Sequence, residues 1–246
     1  MAKFKDISLS LNSIFIKDRD KSFSIDFYKG SLNIILGPEN SGKSILCRKI
    51  AGIDNTVGGE IKYFDKTLNQ IKNQNLILYF PSTNIFFENR TVIDNLIILS
   101  ELSSIPLNCI EKRIKKISPV YGLKPIKNIK LINLPKSIKS ILILSLIEII
   151  MPEIVVISSQ DFYGDQLRED FFYKRLYYLK NLGYTFVISS QRFGYINYCD
   201  SIILLVDNKP VFAGNLNNLS NIDNPKDIEL ILLKKIEENY ERIKID

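Results

Sequence analysis

Gly37-Pro38-Glu39-Asn40-Ser41-Gly42-Lys43-Ser44 is the stretch whose residue types and spacing point most directly to chemistry. It follows the pattern G-x-x-x-x-G-K-[ST]. Two glycines let the backbone curl until several N–H groups converge on one anion. A helix opening directly after the loop adds the positive end of its dipole at the same place. Lys43 would then reach the β and γ phosphates, and the Ser44 hydroxyl would offer a ligand to Mg²⁺. With Ile45 in the first helical turn, residues 37–45 form a candidate cradle for a polyphosphate.

The cradle works only between a strand and a helix, and both are legible. Residues 32–36 (Leu-Asn-Ile-Ile-Leu) read as a buried strand, and residues 44–51 as a helix closed near Gly52. Upstream, residues 7–16 and 23–27 alternate apolar and polar, as half-buried antiparallel strands do. Downstream, residues 58–63 read as a turn and strand, and residues 76–80 as a strand stopped by Pro81. From residue 91 to 118 the period turns helical, with Val92, Leu96, Leu99 and Leu102, then Ile110, Ile114 and Ile117. The core resumes with a helix at 137–150, strands at 154–157, 185–189, 202–206 and 210–213, and a helix at 166–181. Strands alternating with helices predict a mainly parallel sheet with crossovers. Residues 225–243 read as a charged amphipathic helix.

Bulk properties bound the function. The 246 residues suit one large domain, or one with an inserted lobe. A net charge of +6 permits an anionic partner, but the lysines are spread along the chain and no aromatic-basic patch supports nucleic-acid binding. There is no histidine, which excludes histidine acid–base chemistry and histidine metal ligation. Cys47, Cys109 and Cys199 stand in no metal spacing and suggest a reducing compartment without a disulfide framework. No secretory signal opens the sequence. The apolar run 141–157 carries Glu148 and Glu153 and is broken by Pro152. It reads as a buried helix and a buried strand rather than a bilayer span.

Around the loop the chain resembles the ATP-binding-cassette (ABC) ATPases of membrane transporters, collinearly from about residue 4 to 219. Ala51-Gly52-Ile53 followed by Gly58-Gly59-Glu60-Ile61 is similar to the family's "AGL…sGEI" segment. Thr91-Val92-Ile93-Asp94-Asn95-Leu96 resembles its "TVxeNl" helix start. The resemblance implies an α/β P-loop NTPase of ABC type. Its core would be a mainly parallel sheet with an N-terminal antiparallel β subdomain and an inserted α-helical subdomain at about 91–140. The nucleotide-binding domain would span 1–219, with a C-terminal helical extension at 220–246. Phe15 falls close to where the family stacks an aromatic on adenine, and core packing is the other reading of that residue.

The same collinearity places the family's other functional positions, and most are lost. The Q-loop glutamine, nine residues before Thr91, falls on Ser82. The signature "LSGGQ" falls on Leu134-Pro135-Lys136-Ser137-Ile138, without its glycines. The Walker B strand 154–157 should end in Asp-Glu and ends in Ser158-Ser159. The switch histidine falls on Gln191, while Asp165 matches the D-loop aspartate. Asp161 and Asp165 are the nearest carboxylates downstream and read better as loop caps and surface charges.

Serine holds no negative charge for Mg²⁺ and is no general base at neutral pH. A positioned base is worth typically about 10²–10⁴ in rate, and phosphoryl transfer depends on its electrostatic clamp. The expectation is an ATP-binding subunit with a weakened Mg²⁺ site, no catalytic residues, and weak or absent hydrolysis. The resemblance implies a transmembrane permease subunit and a second ABC ATPase subunit as partners, on the cytoplasmic side of the membrane, with no nucleic acid. The other expectation is a non-hydrolysing nucleotide-binding scaffold or regulator outside transport. A P-loop kinase or GTPase fits less well: Asp207-Asn208-Lys209 has the wrong order for guanine specificity.

Overall fold

The computed structural model describes residues 6–17, 21–56, 58–71, 76–158, 166–192, 196 and 198–216, together with Leu230, Leu233, Lys234 and Glu237; for 166–169 it describes the backbone alone. In chain order come β1 (Ile7–Ile14), β2 (Phe23–Tyr28), β3 (Leu32–Leu36), α1 (Lys43–Ile50), β4 (Glu60–Tyr63), α2 (Leu68–Ile71) and β5 (Ile77–Phe80). Then follow α3 (Val92–Leu102), α4 (Leu107–Tyr121), α5 (Ile138–Ile150), β6 (Ile154–Ser158), α6 (Gln166–Asn181), β7 (Thr185–Ser190), β8 (Ser201–Val206) and β9 (Lys209–Asn215).

Two sheets organise these elements. A three-stranded antiparallel sheet has the order β2-β1-β4, and a six-stranded sheet the order β5-β6-β7-β3-β8-β9. The larger sheet is parallel except at β9, which pairs antiparallel with β8. Its central strands are apolar on both faces, as a sheet covered on both sides requires. The period of two divides them cleanly. Ile34, Leu36, Val155, Ile157, Phe186 and Ile188 enter one core with α3–α6. Ile35, Val156, Val187 and Ile203 enter the other, with Leu46, Cys47 and Ile50 of α1 and the apolar face of the antiparallel sheet. The helix α1 is thereby fixed between the two sheets, at the carboxyl ends of β3, β6 and β7.

The helical segment read at 91–118 is two helices, broken at Ser103–Pro106. Thr91 caps α3: its hydroxyl accepts from the Asp94 N–H at 3.2 Å, and the Asp94 carboxylate accepts from the Thr91 N–H at 3.1 Å. Asn95, wholly buried, ties the preceding loop down. Its amide bonds the Phe87 N–H, the Phe87 carbonyl and the Thr91 carbonyl at 2.8–3.0 Å. Of the two loop aromatics, Phe86 is core and Phe87 is exposed.

The run 141–157 resolves as expected. Helix α5 ends at Met151, a left-handed cap with φ 60°, and β6 begins after Pro152. Among the described residues no helix is long and apolar enough to cross a membrane. Most of the tail read as a helix lies outside the described residues; Leu230, Leu233, Lys234 and Glu237 are helical and exposed.

One polar cluster joins α4, α5 and α6. Arg175 donates through Nε and Nη2 to Glu148 at 2.9 and 2.7 Å, and the Tyr121 hydroxyl donates to the same carboxylate. The Arg175 guanidinium also lies over the Tyr178 ring at 4.4 Å. Removing one partner of such a pair strands the other charge. Glu148→Ala is expected to cost on the order of 3 kcal/mol, read as a lower urea midpoint at unchanged slope. A shift within the noise of a surface mutant would show that the cluster holds the three helices only weakly.

Candidate functional site

Strand β3 delivers the chain into the loop at Gly37, and no side chain fits there. A Cβ on Gly37 would stand 2.3 Å from the Leu205 carbonyl oxygen and 2.4 Å from the Ser41 hydroxyl. Gly42 closes the loop at φ 93°, where a Cβ would meet Ile16 at 2.5 Å. Between them Pro38, Glu39 and Asn40 form an exposed rim, Asn40 at φ 60°, while Ser41 is buried. Gly42 therefore serves as N-cap of α1 with no side chain capping the helix. The first N–H groups of α1, on Lys43, Ser44 and Ile45, have no earlier turn to bond to and are left for an anion at the helix end.

Lys43 is buried at the loop's centre. Its ammonium donates to the Gly37 and Pro38 carbonyls at 2.7 and 2.5 Å and reaches the Ser41 hydroxyl at 3.3 Å. Burial holds its pKa below the ordinary lysine value, and Glu39 on the rim works against that shift. These carbonyl contacts satisfy the ammonium where an anion would otherwise do so. Lys43, Ser44 and Ile45 thus come together with residues 37–42 as the sequence spacing requires.

The floor below the loop is made by the ends of three strands. Ser158 closes β6 and pairs in register with Ser189 of β7, while Leu36 of β3 pairs with Ser190. The Ser158 hydroxyl donates to the exposed Ser44 hydroxyl at 3.2 Å. Ser158 and Ser189 also stand beside the Cys47 thiol, one turn further along α1, and Ser158 beside the Tyr79 phenol of β5. Burial pushes the Cys47 thiol up to about 12 and raises the Tyr79 phenol as well. Sequence counting found Ser158; it missed Cys47, Ser189 and Tyr79, whose convergence is set by strand register.

Mg²⁺ prefers an octahedron of oxygens, commonly one or two carboxylates together with phosphate and water. Ser44 fits that set. Ser158, which faces it, brings no charge, and no group of three or more His, Cys, Asp or Glu side chains that could hold a metal occurs among the described residues. The described residues therefore do not fit a Mg²⁺ site of the usual kind. Ser159, Asp161 and Asp165 lie outside the described residues.

The remaining sequence-identified positions surround this floor. Ser82 is half-buried just beyond β5, and Gln191 is exposed just beyond β7. In the segment 134–138, Pro135 and Lys136 are exposed and Ser137 caps α5 without a side-chain bond. The Ile138 and Lys139 N–H groups are already bonded to the Pro135 and Lys136 carbonyls at 3.0 Å, and proline has none. That helix end has few donors left for an anion. Lys139 instead pairs with Glu88 at 2.7 Å, joining α5 to the loop before α3. Phe15 follows β1, half-buried; its carbonyl accepts from Lys49 at 2.9 Å and its ring lies 3.2 Å from where a Gly58 Cβ would stand.

Comparison with known proteins agrees with this architecture. A family profile described as "ABC transporter" matches residues 21–144, half of the chain, and stops short of β6. The ABC transporter ATP-binding protein NatA of Bacillus subtilis is 24% identical over 223 residues, covering 89% of each chain. The molybdate/tungstate import ATP-binding protein WtpC of Pyrococcus abyssi is 31% identical over 172 residues, covering 69% of this chain and 49% of that one. Other relatives are longer: the match spans 7% of the mouse organic anion transporter ABCA8B and 29% of the sulfate/thiosulfate import protein CysA of Mesostigma viride. Among solved structures, cbiO1 of Clostridium perfringens, part of the transporter complex cbiONQ, superposes at a TM-score of 0.73 and 19% identity. That match covers 97% of this chain and 98% of cbiO1.

A closed floor has a chemical consequence. Only a thiolate alkylates readily, and Cys47 is both protonated and fully buried. Iodoacetamide at pH 8 is expected to modify the half-exposed Cys109 while leaving Cys47 intact until denaturant is added. Early labelling of Cys47, located by peptide mass spectrometry, would show that the floor opens in the folded protein.

Proposed function

The chain belongs to the ABC transporter family, and we propose that it serves as an ATP-binding subunit that holds the nucleotide without turning it over appreciably. Family membership implies ATP and Mg²⁺ use in general. The observation that carries the finer reading is the contact of Ser158 with Ser44 at 3.2 Å. It puts a neutral hydroxyl where the resemblance expects the magnesium carboxylate.

The loop retains what binding needs: converging N–H groups, an uncapped helix end and a buried cation. Residues 37–45 would cradle the phosphates, with Ser44 toward any metal and Phe15 toward the base. What hydrolysis needs is missing from the described residues. Among the described residues no carboxylate stands opposite Ser44 to hold Mg²⁺, and the resemblance puts Gln191 at the switch-histidine position. The segment 134–138 has no glycine N–H groups to offer a partner's nucleotide. Loss of a positioned base alone removes typically about 10²–10⁴ in rate.

The partners follow from the family: a transmembrane permease subunit, gripped by the loop bearing exposed Phe87, and a second ABC ATPase subunit, the same or different. The subunit would then lie peripherally on the cytoplasmic face. Lys139–Glu88 and the Asn95 bonds tie that loop to the helical lobe.

ATP at about 100 times its Kd is expected to stabilise the fold by about 2.7 kcal/mol, and Lys43→Ala to abolish the rise in Tm. Steady-state phosphate release is expected well below the ordinary enzymatic range of roughly 1–10³ s⁻¹. Turnover within that range would refute the inactive reading. Co-purification of a multi-span membrane protein supports the transporter role; a partner-free protein that still binds ATP favours a nucleotide-bound scaffold.

A further inference from the structure

We propose that this site takes nucleoside triphosphate without a divalent cation, Mg²⁺ adding little or nothing to its affinity. The inference rests on the reading that the loop binds ATP, and concerns which form of ATP it selects.

A P-loop whose facing strand ends in a carboxylate meets the triphosphate with like charge. Mg²⁺ then bridges two anions that would otherwise repel each other, and nucleotide affinity depends on the metal. Here the facing strand ends in Ser158, whose hydroxyl contacts the Ser44 hydroxyl directly. Behind it stand the Cys47 thiol, beside the Ser158 and Ser189 hydroxyls, and the Tyr79 phenol, beside Ser158. The described floor is neutral throughout, and Lys43 is the buried cation above it. Among the described residues, a metal-free triphosphate therefore meets no opposing charge from below. It can be held by the loop's N–H groups, the end of α1 and Lys43 alone. Glu39 is the described carboxylate that acts on Lys43, and it lies on the exposed outer rim rather than in the floor.

Hydroxyls also suit the geometry. Ser158 has one donor and two acceptor positions, enough to bond Ser44, Cys47 and Tyr79 together. The arrangement satisfies each group without a metal, whereas a carboxylate placed there would need a cation to balance it.

The test is calorimetric titration of the full chain with ATP in excess Mg²⁺ and in EDTA, with Tm shifts under the same conditions. The wild type is expected to bind ATP with Kd values within about threefold of each other. Ser158→Asp is expected to acquire metal dependence, binding about tenfold or more weaker in EDTA than in Mg²⁺. Binding by the wild type only in Mg²⁺ overturns the inference and leaves ATP binding by the loop intact; it would mean a carboxylate from 159–165 or Glu39 reaches the metal. No binding in either condition overturns both. If Ser158→Asp fails to fold, the wild-type pair of titrations still decides.

Discussion

The approach of the first turn of α1 to the end of β6, recorded in the Ser158–Ser44 hydrogen bond, is the constraint on which the rest of the site depends. It exists because β3, β7 and β6 lie side by side in one parallel sheet and finish at the same level. The strands hold that alignment because both faces of the sheet are buried, so a slip of one residue would carry every apolar side chain to the wrong core. The loop's shape adds a second lock. At Gly37 and Gly42 any side chain would overlap existing atoms. Cradle geometry is thus secured by packing, and packing is indifferent to what chemistry the strand ends carry.

On the proposed reading, that separation lets the fold persist while the reaction fades. The side chains at the ends of β6 and β7 contribute little to the two hydrophobic cores. A carboxylate at position 158, buried beneath the loop, would be costly without a cation beside it. Hydroxyls at 158 and 189 stand beside Cys47, and that at 158 beside Tyr79, and they need no counter-ion. On the proposed reading, replacing catalytic carboxylates by such groups follows the direction in which stability and activity are usually traded. The helical insertion retains its architecture for a similar reason: its capping box at Thr91, buried Asn95 and the Arg175–Glu148 pair all serve the fold.

Much of this was legible in the residues. The strand at 32–36 and the helix at 166–181 stand where apolar patterning put them. Helix α1 starts one residue earlier than read, because Gly42 in a left-handed conformation can cap it directly. The first strand stops at Ile14 rather than 16, after a positive φ at Ser13. The short α2 carried too little periodicity to be seen. The helical stretch at 91–118 concealed a break at Ser103–Pro106, since apolar spacing continues across it. Position 158 could be found by counting from Pro152. Its neighbours could not: Tyr79, Cys47 and Ser189 come from separate elements, and only strand register brings them together.

The claim that the cradle binds what it cannot cleave is tested most directly by the identity of the nucleotide it returns. The protein is incubated for hours with equimolar ATP and Mg²⁺, recovered, denatured, and its bound nucleotide resolved by ion-exchange chromatography. The account predicts ATP intact and stoichiometric. Recovery of ADP, produced by the purified protein and absent from the Lys43→Ala control, would contradict it.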